Sequence, residues 1–422
     1  METVQMKYGR ESVELDLNGA ASVRFLQGES FAAIEDMNAA FKSAVEGENI
    51  GGAGLKSRLS AGDKVTIVIS DITRFWMRQD RVVSLLVDYL FDIGIGYGDI
   101  AILIALGSHR FQSEEELKTL VTPQVFDKVS VTNHDCTAPD LAYAGTTSGG
   151  TRVMVNPLAT GRKVIVISGT SHHLMSGYSG GRKSILPGIS GLATIKQNHI
   201  HSLAPKMPKS NPLIGMGQLE NNPVSGDMIE AARFVAPIFG INIVVSSGGD
   251  ICRLIGGDFE AAWEQSCVEC QHMMGVPIDR KADVVVVSCG GFPKDMNLYQ
   301  GCKALINAAQ AVRDGGEMVF IASCPEGGGT PAFFSWIEPL RNGNLDAALR
   351  ENFTIDGYIF YAMCEAMERL DVHMLTEIDP CEIRGMKMKL YKDVRKLSEN
   401  IDFTGKSVYV MPFGGNTVPY ME

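Results

Sequence analysis

Short apolar runs recur along the chain and stop in a similar way. Val65–Ser70 reads VTIVIS and gives way to Asp-Ile-Thr-Arg, and Ile100–Gly107 reads IAILIALG and gives way to Ser-His-Arg. Lys163–Gly169 runs into TSHHLMSGYSGGRK, and Asp283–Gly291 into FPKDMNLYQGCK. Met318–Cys324 precedes PEGGG, and Ser407–Pro412 precedes FGGNT. Runs of this length, apolar almost throughout, are strands covered on both faces. Between them, apolar positions return with helical period at Val82–Ile93, Ala304–Val312 and Tyr358–Leu370. Strand–helix alternation predicts an α/β fold of mainly parallel sheets covered by helices.

Such sheets bind ligands beyond the carboxyl ends of their strands. Here those ends carry Asp71, Arg74, His109, His172, His173, Lys183, Tyr299, Gln300 and Lys303. The first three strand ends fall before residue 200 and the next group after 280, with a helical stretch around Glu260–Met274 between them. The pattern predicts two lobes: an N-terminal domain over 1–275 and a C-terminal α/β domain over 282–400. Residues 401–422 supply a last strand, Ser407–Met411, that returns to either lobe, and the active site is expected in the cleft between the lobes.

Composition narrows the function classes. Apolar residues at 45% and charged residues at 21% belong to a soluble globular chain. No run of eighteen apolar residues exists, which predicts no membrane partner, and the charged first residues have no apolar leader core, so a cytoplasmic location is expected. A net charge of −11 speaks against nucleic acid. It leaves room for a small anion, because a few placed Arg and Lys residues reverse the field inside a cleft. The nine cysteines are odd in number and irregular in spacing, so no disulfide framework is expected. Cys267 and Cys270, with His272 behind them, lack the second ligand pair of a zinc site and read as thiols on one helical segment.

The densest chemistry lies from Ser168 to His199, and six of the eight histidines fall between His109 and His201. Histidine is both a general base near neutral pH and a common metal ligand. Gly180-Gly181 permits close approach of backbone to a ligand. If a helix starts at Arg182, the amides there form a phosphate cradle, although the Walker spacing is absent. Lys183 and His199 stand sixteen residues apart, with Pro187-Gly188 breaking any single helix between them. Two short helical pieces folding back bring both side chains into one cleft; a Gly-rich surface connection leaves both in solvent. The spacing alone keeps both readings open.

The ordered set D-x-T-R at Asp71–Arg74, G-S-H-R at Gly107–Arg110, S-G-G-R-K-x-x-L-P-G…T-I-x-x-N-H at Ser179–His199 and Y-Q-G-x-K-A at Tyr299–Ala304 resembles the nickel-pincer nucleotide-dependent lactate racemases. The resemblance covers most of the chain. It implies a racemase or epimerase of a small anionic α-hydroxy acid, working by reversible hydride transfer to the cofactor, with the 1–275 lobe binding that cofactor. It implies a pyridinium-bisthiocarboxylate mononucleotide with nickel, attached covalently to Lys183, with His199 as the metal's imidazole. His109 and His173 correspond to the acid/base pair, one for each face of the substrate. Arg74, Tyr299 and Lys303 correspond to the substrate grip. Asp71, Thr73, Ser179, Gly180, Gly181 and Gln300 join Lys183 in the cofactor-binding set. Cofactor-synthesis proteins are the implied partners during maturation. Soft sulfur, a carbon donor and one imidazole suit square-planar nickel, and an arginine fork suits a carboxylate.

The chain departs from the family pattern twice. Phe75-Trp76-Met77-Arg78 follows D-x-T-R where proline is common, and Asp356–Met363 lacks a His–Lys pair. Both regions are expected to border the substrate pocket, which opens the choice to α-hydroxy acids other than lactate. Two other classes compete: a histidine-bound metal hydrolase, and a non-catalytic cofactor-binding protein on the same fold. No H-E-x-x-H supports the first, and the paired histidines have no use in the second. His134, His201, His272 and His373 read as structural, and His172 as supporting His173.

Overall fold

In the computed structural model the described residues are 3–47, 50–246 and 248–422. The chain opens with a hairpin, β1 (Thr3–Tyr8) and β2 (Glu11–Asp16), and a short strand, β3 (Ser22–Phe25). Six strands follow: β4 (Val65–Ser70), β5 (Ile100–Ala105), β6 (Ser130–Asn133), β7 (Lys163–Gly169), β8 (Phe239–Val245) and β9 (Ile251–Gly257). They form one sheet in the order β9-β8-β7-β4-β5-β6. All neighbours run parallel except β8 with β9. Alternate residues Val65, Ile67, Ile69, Ile102, Ile104, Ile165 and Ile167 bury one face. Against it pack Val82, Val83, Leu86 and Leu90 of α1 (Gln79–Asp92) and Leu117 and Leu120 of α2 (Glu114–Val121). Val68, Leu103, Val164 and Val166 are buried on the opposite face, which is why the strands read as unbroken apolar runs.

A second sheet comprises β10 (Ala282–Ser288), β11 (Val312–Ile321), β12 (Asp371–Leu375), β13 (Lys389–Tyr391) and β14 (Ser407–Met411), in the order β13-β12-β11-β10-β14-β3 with every pair parallel. The β1–β2 hairpin covers one of its faces through Val4, Met6, Leu15 and Leu17 against Val284, Val286, Val319 and Val408.

Two compact units result. One holds Met1–Glu29, Leu203–Ser210 and Met274–Glu422; the other holds Ser30–Ser202 and Asn211–Met273. The contiguous division expected from sequence is therefore redrawn at the N-terminus. The first residues join the C-terminal unit because β3 extends its sheet beside β14. The last strand, open to either lobe on sequence grounds, lies between β10 and β3. Among the described residues no helix is long and apolar enough to cross a membrane.

Candidate active site

Strands β5, β4 and β7 lie side by side in parallel, with Val65 level with both Ile100 and Lys163. Their carboxyl ends thus deliver three loops to one edge of the sheet. The loop after β4 is a 3-10 turn, Ile72–Met77. Buried Gln79 clamps this turn onto the strand end: its Nε2 donates to the Ser70 carbonyl at 2.7 Å, and its Oε1 accepts the Ser70 amide at 3.2 Å. Gln112 ties the turn to the β5 loop, accepting from the Ile72 amide and donating to the Arg110 carbonyl.

This arrangement pairs Asp71 with His109. Asp71 is 2% exposed, and its Oδ2 lies 2.5 Å from His109 Nδ1, while Thr73 Oγ1 donates to Oδ1 at 2.6 Å. Burial works to raise the carboxyl's pKa, but the hydrogen bonds of His109 and Thr73 outweigh it and hold Asp71 below the ordinary range. A carboxylate only accepts, so Nδ1 of His109 carries hydrogen, and in the neutral form of this exposed ring Nε2 holds the lone pair. Asp71 was expected in a turn at the nucleotide; the structure makes it the orienting partner of a histidine. Its position at the end of the strand next to β5 was the available signal.

The third loop carries the lysine. After β7, His172 and His173 form a two-residue ladder with Tyr178 and Gly177. Their rings diverge as extended backbone requires: His172 Nε2 meets Gln271 Oε1 at 2.8 Å, while His173 Nε2 meets Lys183 Nζ at 2.6 Å. Nδ1 of His173 accepts the amides of Met175 and Ser176 at 3.2 and 3.3 Å. That ring nitrogen cannot carry hydrogen, so in the neutral ring Nε2 does. An N–H faces Lys183 only if Lys183 offers a lone pair, and the pair is therefore consistent with a neutral amine. The electrostatics agree. Burial, then Arg74 and Arg182, push Lys183 well below its ordinary pKa. Burial, then Lys183 and Arg74, push His173 well below its own.

Arg182 is the residue that sequence reasoning passed over. It is 1% exposed, donates to the carbonyls of Ser176 and Tyr178 and to Ser225 Oγ, and lies over the Trp263 ring at 3.7 Å. Gly181 permits this seat, since a Cβ there would stand 2.5 Å from the indole. Position Arg182 next to the lysine was the only hint. The helix expected at Arg182 is a single 3-10 turn, Gly181–Ser184. One amide of the expected phosphate cradle is taken internally, Gly181 donating to Ser168 Oγ, and just before it Ser179 donates to the Ser171 carbonyl.

Pro187-Gly188 does separate two helical pieces, and the second, α3 (Leu192–His199), ends on the candidate metal ligand. His199 is 1% exposed, and its Nδ1 donates to the Ile195 carbonyl at 3.0 Å, which leaves Nε2 as a fixed lone-pair donor. Burial and the nearby Lys183 lower its pKa to about 3. Asn198 locks the helix by donating to Val224 O and to buried Asp227, which also accepts from Thr151. Among the described residues no three His, Cys, Asp or Glu side chains gather for a metal ion. One imidazole beside an uncharged lysine suits a metal whose other donors arrive with an attached cofactor.

Tyr299, Gln300 and Lys303 lie in the other unit on α4 (Leu298–Ala308), after β10. Lys303 Nζ donates to Gln300 Oε1 at 3.0 Å, and Tyr299 meets Phe333 edge-on at 5.5 Å. Tyr358, expected at the pocket border, is instead interior: it is 1% exposed and its hydroxyl donates to Ser210 Oγ at 3.0 Å. An apolar helix face fills a core before it lines a pocket. Cys267 and Cys270 are buried free thiols on one helix, Phe259–Met274.

Parallel strand ends that present a carboxylate-held histidine and a lysine–histidine pair define an α/β enzyme with acid–base groups. The chain belongs to the lactate racemase family, whose N-terminal domain model matches residues 8–210 and whose C-terminal domain model matches 278–415. It is similar to the lactate racemase of Thermoanaerobacterium thermosaccharolyticum, with 27% identity over 431 residues and 99% of each chain covered. It is 31% identical over 309 residues to the lactate racemase of Lactiplantibacillus plantarum, with 71% of each chain covered. The solved Thermoanaerobacterium lactate racemase apoprotein superposes with a TM-score of 0.87 at 26% identity, over 99% of this chain and 100% of that one. A Thermotoga maritima protein shares the fold at TM-score 0.58 and 20% identity, over 87% of this chain and 96% of that one. The protein is an isomerase of racemase type.

Proposed function

We propose that the protein interconverts the two configurations at Cα of a small α-hydroxy acid, carrying a nickel-pincer nucleotide on Lys183 with His199 as the metal's protein ligand. The observation that carries this reading is the Lys183–His173 contact, with the Met175 and Ser176 amides occupying Nδ1, because it keeps the lysine an uncharged nucleophile. When bound, the nucleotide supplies the acceptor for hydride leaving an unactivated Cα.

The chain's own groups do the rest. Arg74 grips the carboxylate. His109 offers a lone pair at Nε2 and takes the hydroxyl proton from one side. Once Lys183 is tethered, its amide-type nitrogen has no basic lone pair, and the Nε2–H of His173 is free to donate a hydrogen bond to the substrate oxygen from the other side, while the proton held by His109 returns to that oxygen when the hydride returns to Cα. The two rings are thus preset in complementary states, as inversion demands. A histidine–metal hydrolase would need a cluster of protein donors around its ion, and a passive carrier would need no Asp71 behind His109.

The test follows hydrogen. The substrate, deuterated at Cα, is given to protein matured with the cofactor-synthesis proteins. The product is expected to keep its deuterium, and unlabelled substrate in D₂O to gain almost none. Extensive exchange with solvent would replace hydride return by proton abstraction. A mass adduct on the Lys183 peptide tests the tether separately.

A further inference from the structure

Trp76 stands in the 3-10 turn that follows Asp71. Three residues per turn put it on the same face as Thr73, whose hydroxyl is bonded to the carboxylate behind His109. The far edge of its ring reaches the end of β7, the strand that leads to His173. Gly169, the last residue of that strand, has Trp76 Cη2 at 3.3 Å and Met77 Sδ at 2.8 Å from the place a Cβ would occupy, so only a bare backbone admits them. The indole is seated yet not covered: Trp76 is 39% exposed, whereas Trp263 and Trp336 are 2% and 8% exposed. A second uncovered ring, Phe111 at 56% exposure, stands two residues beyond His109. Arg110 between them is turned to Glu116, which leaves Arg74 as the guanidinium of this turn whose field reaches both Lys183 and His173.

We propose that Trp76 is a specificity-determining residue, and that the preferred substrate is an α-hydroxy acid with a flat apolar side chain held against the exposed indole. The inference rests on the racemase reading of the same site. A carboxylate on Arg74 and an aromatic ring on Trp76 use both features of one turn. A methyl group, the whole side chain of lactate, would leave the indole in water. Aromatic pairs prefer offset or edge-to-face contact, which a ring on a one-carbon stem can reach.

The experiment compares lactate with the α-hydroxy acid bearing a benzyl group, using matured protein. Wild type is expected to show kcat/KM for the benzyl compound about tenfold or more above lactate, within the range one apolar pocket provides. Trp76→Ala should lower that ratio about tenfold, and Trp76→Phe should keep most of it. A folded Trp76→Ala that leaves the ratio unchanged would overturn the proposal, as would a wild type that prefers lactate; if the variant loses both substrates together through misfolding, the second readout on wild type decides. A second readout needs no cofactor. Trp76 is the exposed member of three tryptophans, so the benzyl acid should shield the cofactor-free protein's fluorescence from acrylamide, and lactate should not. Shielding without any racemisation would sink the racemase reading and keep the aryl site. Racemisation of lactate without shielding would sink this inference alone.

Discussion

His109 stands exposed against a buried carboxylate, while His173 is half-buried among cations. In the first, Asp71 fixes hydrogen on Nδ1 and leaves Nε2 as the acceptor. In the second, the amides of Met175 and Ser176 fix the lone pair on Nδ1 and leave hydrogen on Nε2. One side of the site sets its histidine by a charge; the other sets it by backbone geometry and by desolvation beside Lys183, Arg74 and Arg182. Opposite placements of the ring hydrogen thus arise from one residue type, because the orienting partner rather than the ring decides which nitrogen carries it.

The largest expected effect comes from removing what both histidines serve. Lys183→Ala should abolish the adduct and bring turnover to background, read by intact mass and by chiral analysis of product; retained activity would dismiss the tether. Next come the rings themselves. His109→Ala and His173→Ala should each lower kcat by about 10²–10⁴ while bound nickel stays, whereas His199→Ala should lower bound nickel. Equal nickel loss in all three would return the site to a plain histidine–metal centre. Asp71→Asn probes the asymmetry directly. An amide in place of the carboxylate permits the wrong tautomer of His109, and kcat should fall about 10²-fold with little change at His173. Nitrogen NMR of the two rings would show whether only His109 changes its tautomer.

Much of this asymmetry was legible in the chain. Apolar strand runs place Asp71, His109, His173 and Lys183 at strand ends, and parallel order brings those ends together. What did not follow was direction. Whether Asp71 faces a nucleotide or His109 depends on Gln79 and Gln112, two polar side chains with no pattern of their own. The Ser179 and Gly181 amides are absorbed by Ser171 and Ser168, which a glycine motif does not announce. Tyr358 went inward because its helix supplies core. Strand β3, Ser-Val-Arg-Phe, alternates polar and apolar over only four residues, three of them exposed, too short a run to foretell that it joins the sheet of residues 282–411.

The smallest expected effect separates the two sides by pH. Burial, then Arg74 and Arg182, lower the pKa of Lys183 in the folded protein, whereas in the unfolded chain it binds a proton below about 10.4. Between those two values the unfolded state holds the extra proton, so stability rises with pH and is lost as pH falls, by at most about 1.4 kcal/mol per pH unit. His199 repeats this between 6.5 and about 3. Asp71 has a lowered pKa of the opposite charge type: its contribution is complete above the unfolded carboxyl value of about 3.9 and disappears only as pH falls through the folded one. The lysine side should therefore weaken through the alkaline-to-neutral range while the Asp71 side stays constant. Denaturation midpoints of cofactor-free protein from pH 10.5 to 6 can read this. Lys183→Met should be more stable than wild type, with an advantage that grows as pH is lowered, and Asp71→Asn should differ from wild type by a constant amount. Parallel curves for wild type and Lys183→Met would mean that the folded lysine keeps its proton, and the neutral amine that distinguishes this side of the site would be lost.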